Sequence, residues 1–133
     1  MKRDPRLRTL SSDHHRALVM ARRMERAAGV DRPEPSLVQE ILAFCQDELK
    51  DHFAREEERL LPALRAHGEQ ELVERTLREH AEMMELVGRL GQKEALRRLA
   101  QLLKRHVRFE EQELFEVAQT RLTDAELDAL AAP

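Results

Sequence analysis

The sequence contains no tryptophan and no tyrosine, and its aromatic content of 3% consists of four phenylalanines. The core must therefore be built mainly from Leu, Val, Ala and Met, and a tyrosyl-radical function is excluded. Cysteine is almost missing as well, since Cys45 is the only one. An internal disulfide is therefore impossible, and we expect Cys45 to be buried and inert.

Long apolar runs are also missing. No window of the sequence reaches the apolar length of a membrane span. The basic N-terminal residues are followed by polar ones, whereas a signal peptide needs an apolar stretch there. We therefore expect a cytoplasmic protein without a membrane partner, and we interpret residues 1–11 as a solvated tail. The net charge of −3 and the pI near 6.1 argue against a nucleic-acid partner.

Charged and helix-forming residues are abundant. Asp, Glu, Lys and Arg make up 37% of the 133 residues, and the frequent Leu, Ala, Glu and Arg favour helices over strands. Apolar residues recur at helical spacing in four long stretches, with Gly and Pro between them. The sequence predicts one all-α domain over residues 12–133, an up-down-up-down four-helix bundle with a short C-terminal helix.

The helix boundaries follow from capping and breaking signals. The long helices are predicted over residues 12–28, 36–66, 69–90 and 93–121. Ser11 or Ser12 is predicted to cap the first helix. Ser36 followed by Gln39, and Thr123 followed by Glu126, predict capping boxes for the second and the terminal helix. Pro62 is predicted to kink or tighten the last turns of the second helix, because proline has no N–H for the helix ladder.

Each long helix carries one histidine on its apolar face: His14, His52, His80 and His106. Two of the helices add a glutamate four residues later, Glu56 and Glu110, and this spacing places both side chains on one helix face. The surroundings repeat as well, since HFAREEERLL has the same layout as HVRFEEQELF. We expect the two halves to face each other across a pseudo-two-fold axis, with the glutamates at the centre.

Glu56 and Glu110 on apolar stripes require a positive charge nearby, because a buried carboxylate without a partner is very costly. No Lys or Arg lies on those stripes, so two divalent metal ions are the expected source. Imidazole with carboxylate suits iron, and also zinc or manganese. Two histidines per ion and two shared glutamates give each ion four protein ligands, which leaves positions open on iron for small molecules.

Two residues close to the predicted ligands, His15 and Met84, can each be interpreted in two ways. His15 lies next to His14 but off the apolar stripe, so His14 is preferred as the ligand and His15 as an outer contact. Met84 lies one helical turn after His80. It is most simply core filler, and its position also predicts that it lines the pocket for an exogenous ligand.

Helical phase divides the glutamates near the predicted ligands into those that face inward and those that face solvent. Glu48 and Glu113 lie nearer the inner face, and we predict that they accept hydrogen bonds from the ligand histidines. We predict that Glu57, Glu58 and Glu111 are solvated. Geometry also favours Glu110 over Glu111 as the ligand of the fourth long helix, since Glu111 points about a third of a turn away.

The order His, His-x3-Glu, His, His-x3-Glu resembles the hemerythrin-like, or HHE cation-binding, family over nearly the whole chain. The resemblance implies a non-haem centre of two iron ions, Fe²⁺ or Fe³⁺ with an oxo or hydroxo bridge, that binds O₂, NO or a related species such as peroxide. It implies the following ligands: His14 and His52 for one iron, His80 and His106 for the other, and Glu56 and Glu110 as bridges.

The sequence departs from the oxygen-carrying members, which have a second histidine where Met84 stands. One histidine fewer leaves both irons more open, as in bacterial members linked to NO, oxidative stress or iron–sulfur cluster repair. We therefore predict a function in oxygen or NO sensing or in a stress response. An enzyme that reduces NO or peroxide, an iron donor for iron–sulfur repair and a zinc-bound structural bundle remain alternatives. Whether the protein is an enzyme, and its oligomeric state, stay open.

Overall fold

The computed structural model describes residues 2–132, and these residues form helices and turns but no strand. The chain begins with a 3₁₀ turn at Pro5–Leu7, which leads directly into α1, Arg8–Ala28. Helix α1 packs along the helix that contains His106, and that helix in turn packs against the one that contains His80. The all-α prediction is confirmed, and the arrangement is compatible with a helical bundle.

The second helical stretch alternates between α-helix and wider π-helical turns. Its parts are α2 at Pro35–Ala43, a π turn at Phe44–Leu49, α3 at Lys50–Arg55, a π turn at Glu56–Leu60, and α4 at Leu61–Ala66. The rest of the chain forms α5 at Gln70–Val87, α6 at Lys93–Phe109, a π turn at Glu110–Leu114, α7 at Phe115–Arg121, and α8 at Asp124–Ala131.

The interpretation of residues 1–11 as a solvated tail is wrong for the helical part of that segment. Leu7 is fully buried and Leu10 is 6% exposed. Arg3 donates hydrogen bonds to Gln119 and Glu111 at the other end of the chain. The apolar pattern of α1 extends upstream of the two serines that were expected to cap it, and burial of the leucines extends the helix with it.

One of the two predicted capping boxes forms. The Thr123 hydroxyl accepts from the Glu126 N–H and the Glu126 carboxylate accepts from the Thr123 N–H, as predicted. The box at Ser36 and Gln39 is wrong, because α2 begins at Pro35 and has no side-chain cap. Proline at the first helical position has its φ angle already fixed for a helix, so Ser36 lies inside the helix.

Two π turns begin at Glu56 and Glu110, the glutamates predicted to bind metal. The turn before Pro62 is therefore wider than an α-helical turn, and the predicted tightening is wrong. Proline alone is not its cause, since the corresponding turn at Glu110–Leu114 precedes no proline. Single π turns inside helices are frequent at functional sites, and two of the three described here begin at the positions that the internal repeat relates.

The buried apolar residues form two separate clusters. One includes Met24, Ile41 and Leu99, and the other includes Leu60, Leu114 and Phe115. Seven buried polar residues lie close to the point in each long helix where the buried side chains change from one cluster to the other: His14, His52, Glu56, Thr76, His80, His106 and Glu110. Cys45 is fully buried in the first cluster, as expected, and burial raises the pKa of its thiol to about 12. The core therefore contains a polar layer between two apolar ones.

None of the helices within residues 2–132 combines the length and the apolar character that crossing a membrane would require. The helices owe their packing to one apolar face each. Those faces point to the two clusters, while the charged residues lie on the outer faces.

Leu7→Ala tests whether the N-terminal segment is part of the core. Removal of a fully buried leucine side chain is expected to lower the free energy of unfolding by about 2–5 kcal/mol. Urea unfolding followed by circular dichroism measures this change. Val30→Ala is the control, because Val30 is 45% exposed and should change the stability by less than about 0.5 kcal/mol. Equal stabilities for both variants would contradict the buried position of Leu7.

Candidate metal centre

Glu56 and Glu110, called the inner glutamates below, lie at the centre of the polar layer and have no exposed surface. Each is the first residue of a π turn. Their i, i+4 neighbours approach them as the spacing predicts: His52 Nε2 lies 3.3 Å from Glu56 Oε2, and His106 Nε2 lies 3.1 Å from Glu110 Oε2. The remaining two histidines reach the same centre from α1 and α5.

His14 and His80 complete the site from the other two long helices. His14 Nε2 forms a hydrogen bond of 2.7 Å with Glu110 Oε1, and His80 Nε2 lies 3.1 Å from Glu56 Oε1. All four histidines are buried, with at most 5% of their surface exposed. The structure therefore brings together all six residues that the sequence singled out.

The six residues divide into two overlapping groups whose candidate ligand atoms lie within 4.8 Å of one another. The first group is His14, His52, Glu56 and Glu110, and the second is Glu56, His80, His106 and Glu110. Both groups share the inner glutamates. This division matches the two ligand sets that the family resemblance implied, with one pair of histidines on each side of the shared carboxylates.

Several buried atoms at this centre have no hydrogen-bond partner among the described residues. They are the Nε2 atoms of His52, His80 and His106, both carboxylate oxygens of Glu56, and Oε2 of Glu110. Oxygens and nitrogens lie close together, but they are not aimed at each other as donor and acceptor. Buried polar atoms are rarely left unpaired, and atoms that converge on a common point fit metal ligands. The donor set also fits iron, zinc or manganese.

The Nδ1 atom of each buried histidine contacts a second carboxylate on the outer side of the site. These outer carboxylates are Glu111 on His14 at 2.7 Å, Asp13 on His52 at 2.9 Å, Glu57 on His80 at 2.8 Å, and Glu79 on His106 at 2.7 Å. A carboxylate on the far nitrogen fixes the ring orientation and makes the near nitrogen a better ligand. Each histidine is thus held from both sides.

The outer carboxylates correct the predictions for the surrounding acids. Glu57 and Glu111 are not merely solvated, since they contact His80 and His14. Glu48 and Glu113, predicted as histidine acceptors, instead pair with Arg16 at 3.5 Å and Arg75 at 3.6 Å. The sequence does mark the true acceptors. An acid precedes the histidine in Asp13-His14 and Glu79-His80, and an acid, Glu57 or Glu111, follows each inner glutamate.

Three of the four outer carboxylates also bind an arginine. Arg3 contacts Glu111 at 3.2 Å, Arg55 contacts Asp13 at 2.6 Å, and Arg75 contacts Glu79 at 2.9 Å. Glu57 is the exception: it is 40% exposed, and no lysine or arginine within residues 2–132 forms an ion pair with it. The ligand set is therefore nearly symmetric, but its outer surroundings are not.

Phenylalanine rings fix two of the histidines in place. Phe53 stacks on His80 with ring centroids 3.9 Å apart, and Phe115 stacks on His14 at 5.4 Å. Both phenylalanines are almost fully buried. The apolar clusters above and below the polar layer thus contact the ligand rings directly, which restricts their motion.

Without metal, the buried histidines hold protons. Burial disfavours the charged ring, but Glu110 and Glu111 outweigh burial and raise the pKa of His14 to about 9. Burial likewise disfavours the charged ring of His80, but the inner glutamates outweigh it and raise the pKa of His80 to about 10. Burial also works against ionised Glu110, yet His106 and its neighbours hold the pKa of Glu110 well below its ordinary value. Protonated rings therefore supply the positive charge that the inner glutamates require.

A cavity of about 170 Å³ opens beside this centre, lined by the buried rings of His14, His52 and His106. Glu48 lines this cavity, although it is not a histidine acceptor. Met84 does not line this cavity but a surface groove beside His80, and it packs against the first apolar cluster. His15 is exposed, while its neighbour His14 is buried in the site.

A family model, the hemerythrin HHE cation-binding domain, matches residues 6–118. The chain belongs to this family. No curated protein and no solved structure matches it. A hemerythrin HHE domain is a cation-binding domain by description, and the buried cluster of His and Glu residues fits a metal site. The match begins at residue 6 and so includes the N-terminal turn that sequence reasoning had assigned to the tail.

Glu79→Gln tests the outer carboxylates of this hemerythrin HHE domain. Loss of the charge that holds His106 Nδ1 is expected to lower the metal affinity about 10- to 100-fold. Competition with a chromophoric chelator measures the affinity. Glu113→Gln is a matched control, because Glu113 contacts the same Arg75 but no histidine. Equal affinities for the two variants would show that Glu79 does not support the site.

The pH dependence of metal binding follows from the raised histidine pKa values. His14 and His80, with pKa about 9 and about 10, carry protons near neutral pH when no metal is bound. A ligand nitrogen must be free of its proton, so metal affinity should rise with pH up to these values and fall as the pH drops. Calorimetry with Zn²⁺ in two buffers of different ionisation heat counts the released protons. Zero release near neutral pH would contradict the protonated state.

Proposed function

We propose that this hemerythrin HHE domain holds two iron ions and binds O₂, NO or a related small species such as peroxide, as a cytoplasmic sensor or stress-response protein. The observation that carries the proposal is the pair of four-residue ligand groups that share Glu56 and Glu110. Shared buried carboxylates between two pairs of histidines suit two ions rather than one, and the family description supports cation binding.

In the proposed centre, His14 and His52 would hold one ion and His80 and His106 would hold the other. The inner glutamates would be shared by the two ions, and the outer carboxylates would orient the rings. Four protein ligands would then be available to each ion, fewer than the six that iron commonly takes. When bound, iron would supply open coordination positions and a change of oxidation state, and zinc cannot supply the change of oxidation state.

The cavity supports the binding of a small molecule. It reaches three of the four histidines, and its walls include the apolar side chains of Leu103, Val107 and Phe44. A volume of about 170 Å³ admits a diatomic molecule or peroxide but not a substrate of drug size, which requires several hundred Å³.

The same cavity is compatible with catalysis, so an enzyme that reduces NO or peroxide is the second candidate. The distinction lies in turnover: a binding protein forms a stable adduct, whereas an enzyme regenerates its reduced form when an electron donor is present. An iron donor for iron–sulfur repair would instead lose its iron to a competing acceptor. A zinc-bound structural bundle would do none of these.

Metal analysis combined with absorption spectroscopy tests the proposal. Because the chain has no Trp or Tyr, its own absorbance near 280 nm is minimal, and ferric iron should dominate the near-ultraviolet spectrum. We expect about two irons per chain after aerobic purification or reconstitution. Stopped-flow mixing of the reduced protein with O₂ or NO then separates a stable adduct from repeated turnover. A colourless protein with stoichiometric zinc after both treatments would refute the iron proposal.

Glu56→Ala and Glu110→Ala separate the bridging function from the overall charge. Each variant is expected to lose the two-metal centre, because each removes a carboxylate shared by both groups. Glu58→Ala is the control, since Glu58 is exposed on the same π turn as Glu56. Full metal content in both inner-glutamate variants would disprove the bridging assignment.

A further inference from the structure

The cavity beside the metal centre connects the ligand rings with a group of exposed acids. At its inner end lie His14, His52 and His106, and at the surface lie Asp47, Glu48 and Asp51 on the second helical stretch. Asp47, Glu48 and Asp51 are exposed, whereas the three histidines are buried. These three acids are called the acidic rim below. The cavity therefore runs from an acidic surface to the candidate ligands.

Unpaired nitrogen atoms at the inner end indicate which kind of ligand the cavity serves. His52 is 4% exposed and His106 is 1% exposed, and the Nε2 atoms of both rings lack hydrogen-bond partners within the described chain. Both rings line the cavity. A route that begins at carboxylates and ends at imidazole rings carries, at both ends, side chains that bind divalent cations.

The charge around the cavity is negative in balance. Its lining includes four carboxylates, from Asp13 and the acidic rim, against the guanidinium groups of Arg16 and Arg55. Arg16 pairs with Glu48 at 3.5 Å, and Arg55 pairs with both Asp51 at 3.1 Å and Asp13 at 2.6 Å. Asp47 has no ion pair among residues 2–132. A cleft lined by an excess of one charge raises the local concentration and the association rate of the opposite ion.

The other opening near a ligand lacks this excess of negative charge. The shallow groove beside His80 is lined by one acid, Glu57, and one base, Lys50, and by none of the other three histidines. Its remaining lining is apolar, from residues such as Phe53, Leu77 and Met84. A cation that approaches the domain is therefore drawn to the acidic rim rather than to this groove.

We propose that the acidic rim collects divalent metal ions from solution and that the cavity is the path by which they load the centre. This inference rests on the proposed metal centre and adds a function for residues that are not ligands. Asp47 and Glu48 attract the ion, and Asp13 lies where the path meets His52. The rim acts on the rate of loading, while the six buried residues set the affinity.

The experiment compares loading rates in the metal-free full-length protein. Stopped-flow mixing with Co²⁺, whose visible absorption reports ligand binding, gives the association rate. We expect the double variant Asp47→Asn with Glu48→Gln to load on the order of three- to tenfold more slowly at low ionic strength, and the difference to vanish at high salt. The Co²⁺ content at equilibrium should stay unchanged. Asp51 is kept because it holds Arg55, which in turn contacts Asp13.

The matched control is the double variant Glu71→Gln with Glu74→Gln, which removes the same charge from exposed positions on α5. It should load at the wild-type rate. Equal rates in the rim variant and the control would overturn the proposal, and so would a lower Co²⁺ content at equilibrium, which would make the rim part of the binding site. A wild-type protein that binds no Co²⁺ would instead refute the metal centre itself, so the two failures are distinguishable.

Discussion

Two carboxylates without exposed surface, Glu56 and Glu110, impose the constraint that the rest of this domain satisfies. Burial of one ionised carboxylate is costly, and a second beside it raises the cost further. The fold meets this cost with four imidazole rings, one from each long helix, and with two π turns that begin at the carboxylates themselves. Protons or metal ions can both supply the positive charge, so a metal ion that binds here would replace protons.

The same constraint explains how the core is divided. Apolar clusters on either side of the polar layer hold the helices together, and Phe53 and Phe115 carry that packing onto the ligand rings. Three of the four outer carboxylates then connect the rings to arginines. Stability and ligand geometry are thus supplied by different sets of residues, and the site depends on contacts between helices rather than within one.

The sequence predicts the contacts within one helix better than the contacts between helices. The i, i+4 pairs His52–Glu56 and His106–Glu110 lie on single helix faces, so helical phase identifies them. Helical phase does not show which contacts form between helices, because Asp13 supports His52 on another helix rather than its neighbour His14. Phase alone therefore selected Glu48 and Glu113 wrongly. The N-terminal turn was missed for a related reason: two serines looked like a helix start, while burial of the leucines upstream decided the boundary.

Glu57 is the outer carboxylate that no arginine accompanies, and this affects the electronic balance of the site. A carboxylate whose charge is not shared with a cation draws more strongly on the Nδ1 proton of His80, which makes Nε2 a stronger electron donor. Metal ions held by the two groups would therefore face unequal donors, so the two halves of an almost symmetric ligand set would be chemically distinct.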